Sequence, residues 1–128
     1  MKRFLILLAL AAGTLAAQTH SNTLTWTAPT TGDPATGYHV WRATGASLTA
    51  ACAALPAPGA AVPAGAAYAT VTAPTLTYVD LGVVANQNTC YELSAYNTGG
   101  ESALSNSVNG TTPQFLPGVP TGVSLVSR

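Results

Sequence analysis

The chain has 128 residues, of which only 6% are charged, with four Lys and Arg against four Asp and Glu and a formal net charge of zero. Ordinary soluble domains carry about 25% charged residues, so the surface here must be built mostly from Thr, Ser, Asn, Ala and Gly. No basic patch exists to neutralise phosphates, which excludes nucleic-acid binding by backbone contacts.

The first 17 residues read as a secretory signal peptide. Lys2 and Arg3 form a basic start, Phe4 to Ala12 an apolar run, and Gly13, Thr14, Ala16 and Ala17 a small-residue region suited to cleavage after Ala16 or Ala17. The apolar run is well short of the roughly 20 residues needed to span a bilayer. The expectation is a secreted protein, extracellular or at the cell surface with the periplasm as an alternative, and with no membrane association once the signal is removed. No cysteine follows the apolar run, which argues against lipid attachment there. The remaining chain of about 110 residues is long enough for one small core. Without Lys2 and Arg3 its net charge is −2.

Short alternating segments then follow one another, separated by Gly, Pro and Asn clusters. No helical period is seen, and the pattern predicts an all-β sandwich or barrel. The first strand is 21-SNTLTWT-27, with Leu24 and Trp26 on one face. The loop 28-APTTGDPAT-36 cannot continue it. In 37-GYHVWRA-43, Tyr38 and Val40 share one face, and His39 and Trp41 the other. Residues 44–65 are a long connection rich in Ala, Pro and Gly. Its prolines and glycines allow no helix beyond a turn near Leu48 to Leu55. Strands resume at 66-AAYATVT-72 and 75-TLTYVDL-81. In 89-TCYELSAYN-97, Thr89, Tyr91, Leu93 and Ala95 point one way, and Cys90, Glu92, Ser94 and Tyr96 the other. After the turn 98-TGGE-101 comes a last strand near 103-ALSNSVNGT-111. Six such strands suit two antiparallel sheets packed face to face, with a core of Leu24, Trp26, Tyr38, Val40, Tyr91, Leu93 and Ala95. The domain boundaries are 1–17 for the signal, 18–113 for the sandwich and 114–128 for a tail.

Cys52 and Cys90 lie in a chain bound for an oxidising compartment, so a disulfide is expected. It would close a loop of about 39 residues, for which loop-closure entropy gives roughly 4 kcal/mol. Two cysteines without nearby histidine ligands do not make a zinc site.

The strings GYHVWR, TYVD and YELSAYNTGGESALSNSV, taken in order with LTWTAP, resemble strands of a fibronectin type III domain of the secreted bacterial kind. The resemblance spans about residues 21–112 and implies an immunoglobulin-like β-sandwich, with Trp26 as the core Trp of family strand B. Two features depart from the family pattern. Thr89 stands where the family places a Tyr that pins the corner before strand F, so that corner must be held differently, for instance by the Cys90 bridge. The family's opening strand A is missing, because its place falls largely within the signal.

The tail 116-LPGVPTGVSLVSR-128 has the look of that missing strand. Val119, Pro120, Val123 and Leu125 form a candidate donor strand, with Val123 and Leu125 on one face to sit beside Leu24 and Trp26. Three readings fit the tail: exchange into another copy head to tail, which makes a filament; the start of a second domain or a passive end; and closure within the same molecule. An unpaired edge on the first strand invites the first of these.

Catalysis has no support in the sequence. His20 and His39 are far apart, and Asp33, Asp80, Glu92 and Glu101 are scattered, whereas general acid–base chemistry needs paired groups in a pocket. Asp80 and Glu101 are expected to be structural. Ser102, Ser105 and Ser107 lack a nucleophile context, and no phosphate loop or cofactor motif is present. The best candidate for binding is a sheet face carrying His39, Trp41 and Tyr96, where exposed aromatics would stack on carbohydrate or anchor a protein. The alternative is that the 44–65 loop folds over and covers Trp41. The chain has no Arg-Gly-Asp to support integrin-type adhesion. The function expected is therefore a secreted, non-catalytic structural or assembly module, or else a carbohydrate- or protein-binding accessory module.

Overall fold

The computed structural model describes residues 18–117 and 119–127; the expected signal peptide lies outside the described residues. Seven strands and one short helix follow in the order β1 (Asn22–Thr25), β2 (Gly37–Gly45), α1 (Leu48–Ala53), β3 (Ala69–Thr72), β4 (Thr77–Asp80), β5 (Asn88–Asn97), β6 (Gly100–Glu101) and β7 (Val108–Thr111). They form two antiparallel sheets, as the alternation predicts. One is the pair β1–β4. The other runs β3-β2-β5, with β6 and β7 both on the far side of β5. Among the described residues, no helix is long and apolar enough to cross a membrane.

The core between the sheets contains Leu24, Tyr38, Val40, Val71 and Tyr91, all buried. Trp26, Leu93 and Ala95 pack against it but remain partly exposed. The expected core set therefore lies together, and its exposed side is the one where β1 has no outer neighbour. Trp26 meets Tyr38 edge to face at 5.3 Å, a geometry favoured by the ring quadrupoles.

The expected final strand is broken. Tyr96 pairs with Glu101, while Tyr91 pairs with Val108, so seven steps on one side oppose five on the other. The two surplus residues bulge out of the ladder. The bulged segment stays on β5 through its serines. Ser102 N donates to Ala95 O at 2.8 Å, and Ala95 N donates to Ser102 Oγ at 3.0 Å. Ser105 repeats this on Leu93, at 2.8 and 2.9 Å. Serine hydroxyls thus replace carbonyls that the bulge carries out of reach, and no N–H of β5 is orphaned there.

The long 44–65 connection folds back over the outer face of the larger sheet. Ser47 caps α1 by accepting from Ala50 N at 3.1 Å. Cys52 on α1 bonds Cys90 on β5, as expected from the cysteine pair. Further along, Gly59 N donates to Leu104 O and Leu104 N to Ala60 O, each at 2.9 Å. Ala51 and Leu104 are both buried by this arrangement. Gly45 permits the approach, since a Cβ there would lie 2.6 Å from the Ala51 backbone nitrogen.

Two stability outcomes follow. Replacing both cysteines by serine should lower the unfolding free energy by about 4 kcal/mol, measured by urea denaturation. Gly45→Ala should push α1 off β2 and cost about 1–3 kcal/mol; an unchanged urea midpoint would refute the close packing.

Candidate functional site

Asp80 ends β4 fully buried between the sheets. A lone buried carboxylate would cost several kcal/mol, so its surroundings must compensate. Tyr91 OH donates to Oδ2 at 2.7 Å, Tyr68 OH to Oδ1 at 2.9 Å and Gly82 N to Oδ1 at 2.8 Å. Arg42 Nε lies 3.3 Å from Oδ2. Arg42 in turn donates to Tyr68 OH, Gly82 O and Gln87 Oε1, and Asn22 Nδ2 donates to Tyr91 OH at 3.0 Å. Burial alone would raise the Asp80 pKa, but the hydrogen bonds from Tyr91, Gly82 and Tyr68 and the Arg42 charge together hold it below the ordinary value. The same carboxylate, after burial, raises the pKa of Tyr68 and Tyr91. This network, rather than the Cys90 bridge, holds the corner before β5; the bridge ties β5 to α1 instead.

Of the two readings of the aromatic face, the structure agrees with the one in which the 44–65 connection covers Trp41. Trp41 does not point into solvent: it is 7% exposed, and its Nε1 donates to Ser94 Oγ at 2.9 Å. The 44–65 connection lies over this face. Glu92, opposite Trp41 on β5, is completely buried and accepts from Ser107 Oγ. His39 and Tyr96 remain partly exposed and stack with centroids 4.5 Å apart. Tyr96 finds room over Gly37, where a Cβ would come within 2.5 Å of the Tyr96 hydroxyl. His39 Nδ1 lies 2.7 Å from Glu101 Oε1, which also accepts from Ser94 Oγ. Burial opposes ionisation of Glu101, but Ser94 and His39 outweigh it and lower its pKa. The two carboxylates expected to be structural, Asp80 and Glu101, are both held in such networks. Among the described residues, His, Cys, Asp and Glu do not gather in threes that could hold a metal ion.

A groove of about 710 Å³ runs along the outer side of β1. Thr23 to Thr27 form one wall, the Ser102–Val108 segment the other, and Tyr38, Leu93 and Ala95 line it between them. Trp26 N donates to Leu76 O, and Leu24 O accepts from Thr77 Oγ1. Leu24 and Trp26 therefore direct their backbone groups to β4. In an antiparallel ladder alternate residues face opposite neighbours, so Thr23 and Thr25 present N–H and C=O to the open groove. Trp26 lines this groove, and its indole nitrogen is buried and has no hydrogen-bond partner. A second hollow of about 350 Å³ adjoins the groove at the 28–36 loop and shares Pro29, Ala95 and Ser102 with it.

The expected donor strand does not fill this groove. Leu116, Val119, Val123, Leu125 and Val126 are each at least 81% exposed. The last anchored side chain is Phe115, stacked on His20 at 4.5 Å, beside the start of β1. Of the three readings of the tail, closure within the same molecule is the one the structure does not show, since Val123 and Leu125 are exposed. The Asp80 network escaped sequence reasoning because its members are far apart in the chain; buried-type Tyr and Arg next to strand positions were the only signal.

No protein-family model, curated protein or solved structure matches this chain.

Asp80 and Glu101 both have folded pKa values below their unfolded ones. Their stabilisation is present above the usual carboxylate range and is lost as pH falls through it. Urea midpoints should therefore be flat from neutral pH to about pH 5 and then drop, with a shallower drop in Tyr91→Phe, which should itself cost about 1.5–3 kcal/mol. In a Trp26→Phe variant the remaining Trp41 emission should resist an aqueous quencher; strong quenching would restore the exposed-face reading.

Proposed function

We propose that this protein is a secreted, non-catalytic structural module of the fibronectin type III kind that assembles head to tail through its C-terminal segment. One observation carries the reading. Among the described residues the β1 edge is unpaired beside an open apolar groove, while the same chain holds an alternating apolar segment that lies exposed. Unpaired edges are templates for another chain, and strand addition to an edge is a recurrent recognition mode.

The sheet order supports the family reading. A pair β1–β4 against β3-β2-β5 with β6 and β7 is the order that the resemblance implies for a sandwich lacking its first strand. The disulfide is compatible with an oxidising compartment. The polar, weakly charged surface repels its own copies little.

Geometry favours a neighbour over self-closure. The tail leaves Phe115 beside His20, at the pole where β1 begins. To run antiparallel to its own β1, it must climb about 23 Å to Thr27. The chain from Phe115 to Gly122 reaches at most about 24 Å, which leaves nothing for the reversal. In a neighbour stacked pole to pole, the tail meets the 28–36 end of the groove directly. Such a contact repeats without closing and yields a fibre.

The carbohydrate- or protein-binding reading loses Trp41, its largest aromatic, which is buried on the covered face of the larger sheet. The two readings also differ in outcome. The chain from Gln18 onward should show concentration-dependent assembly in light scattering, and fibres by electron microscopy. The same chain without residues 114–128 should stay monomeric. Identical monomers in both cases would sink the assembly reading.

A further inference from the structure

We propose that the β1 groove accepts the tail of a second copy in one register, with Leu125 opposite Leu24, Ser124 opposite Thr25 and Val123 opposite Trp26, and with the Thr121 hydroxyl accepting the Trp26 indole N–H. This rests on the strand-addition reading above and specifies its site.

The backbone sets the alternation. Thr23 and Thr25 carry the groups that face the groove, so the incoming residue opposite each exchanges both hydrogen bonds with it. Residues opposite each other point to the same side of a sheet. Leu24 and Trp26 point into the sandwich, so the residues opposite them must be apolar. In the tail, Val119, Thr121, Val123 and Leu125 share one face, and Pro120, Ser124 and Val126 fall on the other. A shift by one residue would turn Ser124 into the core and Val123 out, which the period-2 pattern forbids.

A shift by two keeps the faces but is disfavoured by Pro120. It would set Pro120 opposite Thr27, the next groove-facing position after Thr25, where its missing N–H breaks the ladder. The proposed register sets Pro120 opposite Pro29, beyond the strand and in the adjoining hollow.

The indole supplies a second constraint. Trp26 lines the groove and its indole nitrogen is buried without a partner, and buried donors left unpaired are costly. Among the four inward positions of the tail, Thr121 alone carries a polar side chain. With Val123 opposite Trp26, Thr121 is its diagonal neighbour, within reach of a long side chain.

The test mixes two full-length variants under mild oxidation, Thr25→Cys as acceptor and Ser124→Cys as donor. A cross-linked heterodimer is expected, with little product from Thr25→Cys and Gly122→Cys. Preferential linkage through Gly122→Cys overturns the register while leaving assembly intact. No linkage in either pair, with no assembly of the unaltered chain by light scattering, overturns both. Thr121→Val should weaken assembly roughly fivefold and Thr121→Ser should not; equal assembly by both removes the indole contact from the proposal.

Discussion

The buried Asp80 carboxylate is the point on which the arrangement of the two sheets turns. It belongs to β4 in the smaller sheet, yet it receives hydrogen bonds or charge from Tyr91 on β5, Arg42 on β2, Tyr68 just before β3 and the Gly82 backbone. Asn22 of β1 joins through the Tyr91 hydroxyl. A two-stranded sheet has little surface of its own to bury and is marginal alone. Here its register against the larger sheet is set by directional bonds as well as by Leu24. Removing one donor leaves a desolvated charge short of partners, which costs more than the bond itself contributes. The network sits near the pole where β1 starts and β4 ends. The opposite end of β1, at Trp26, is free of such ties, and there the core is incompletely closed.

The outer face of the larger sheet is a second packed layer. Alternation along β2 and β5 puts Trp41, Cys90, Glu92 and Ser94 on that face, and a solvated sheet would leave them wet. The 44–65 connection covers them, held at one end by the disulfide and at the other by the Gly59 and Ala60 bonds to Leu104. Its small residues allow close approach, and that is the physical use of a segment with so many alanines and glycines. Glu92 is buried as a consequence, with Ser107 bonded to one oxygen and the other without a partner. Aromatic binding chemistry on this face is reduced to the rim, where His39, Tyr96 and Glu101 meet.

The larger sheet has a covered outer face and, among the described residues, the smaller one has an unpaired edge beside a groove at β1. The outer edge of β5 is taken by β6, β7 and the serines of the bulged segment, whereas among the described residues the outer edges of β1, β3 and β4 have no strand partner, and the groove lies beside β1. The groove beside β1 is apolar where Leu24, Trp26, Leu93 and Ala95 show. In the proposed strand addition, specificity comes from period 2, because a strand in a half-buried groove has one face that fits.

The sequence by itself determined the strand segments, the short helical turn, the disulfide pair and which side chains share a face. Those are local matters: alternation, Pro and Gly punctuation, and cysteine pairing in a chain whose start reads as an export signal. It also marked Val123 and Leu125 as a strand with no partner of its own. Only the tertiary structure decided what lies on each face. Trp41 and Glu92 are buried because a distant connection folds over them. Asp80 is satisfied because four segments converge on it. The last strand is broken because two surplus residues bulge between β6 and β7. Alternation fixes the side of a sheet on which a side chain stands. Whether that side meets water, a loop or another molecule depends on contacts between residues far apart in the chain, and these leave no local period to read.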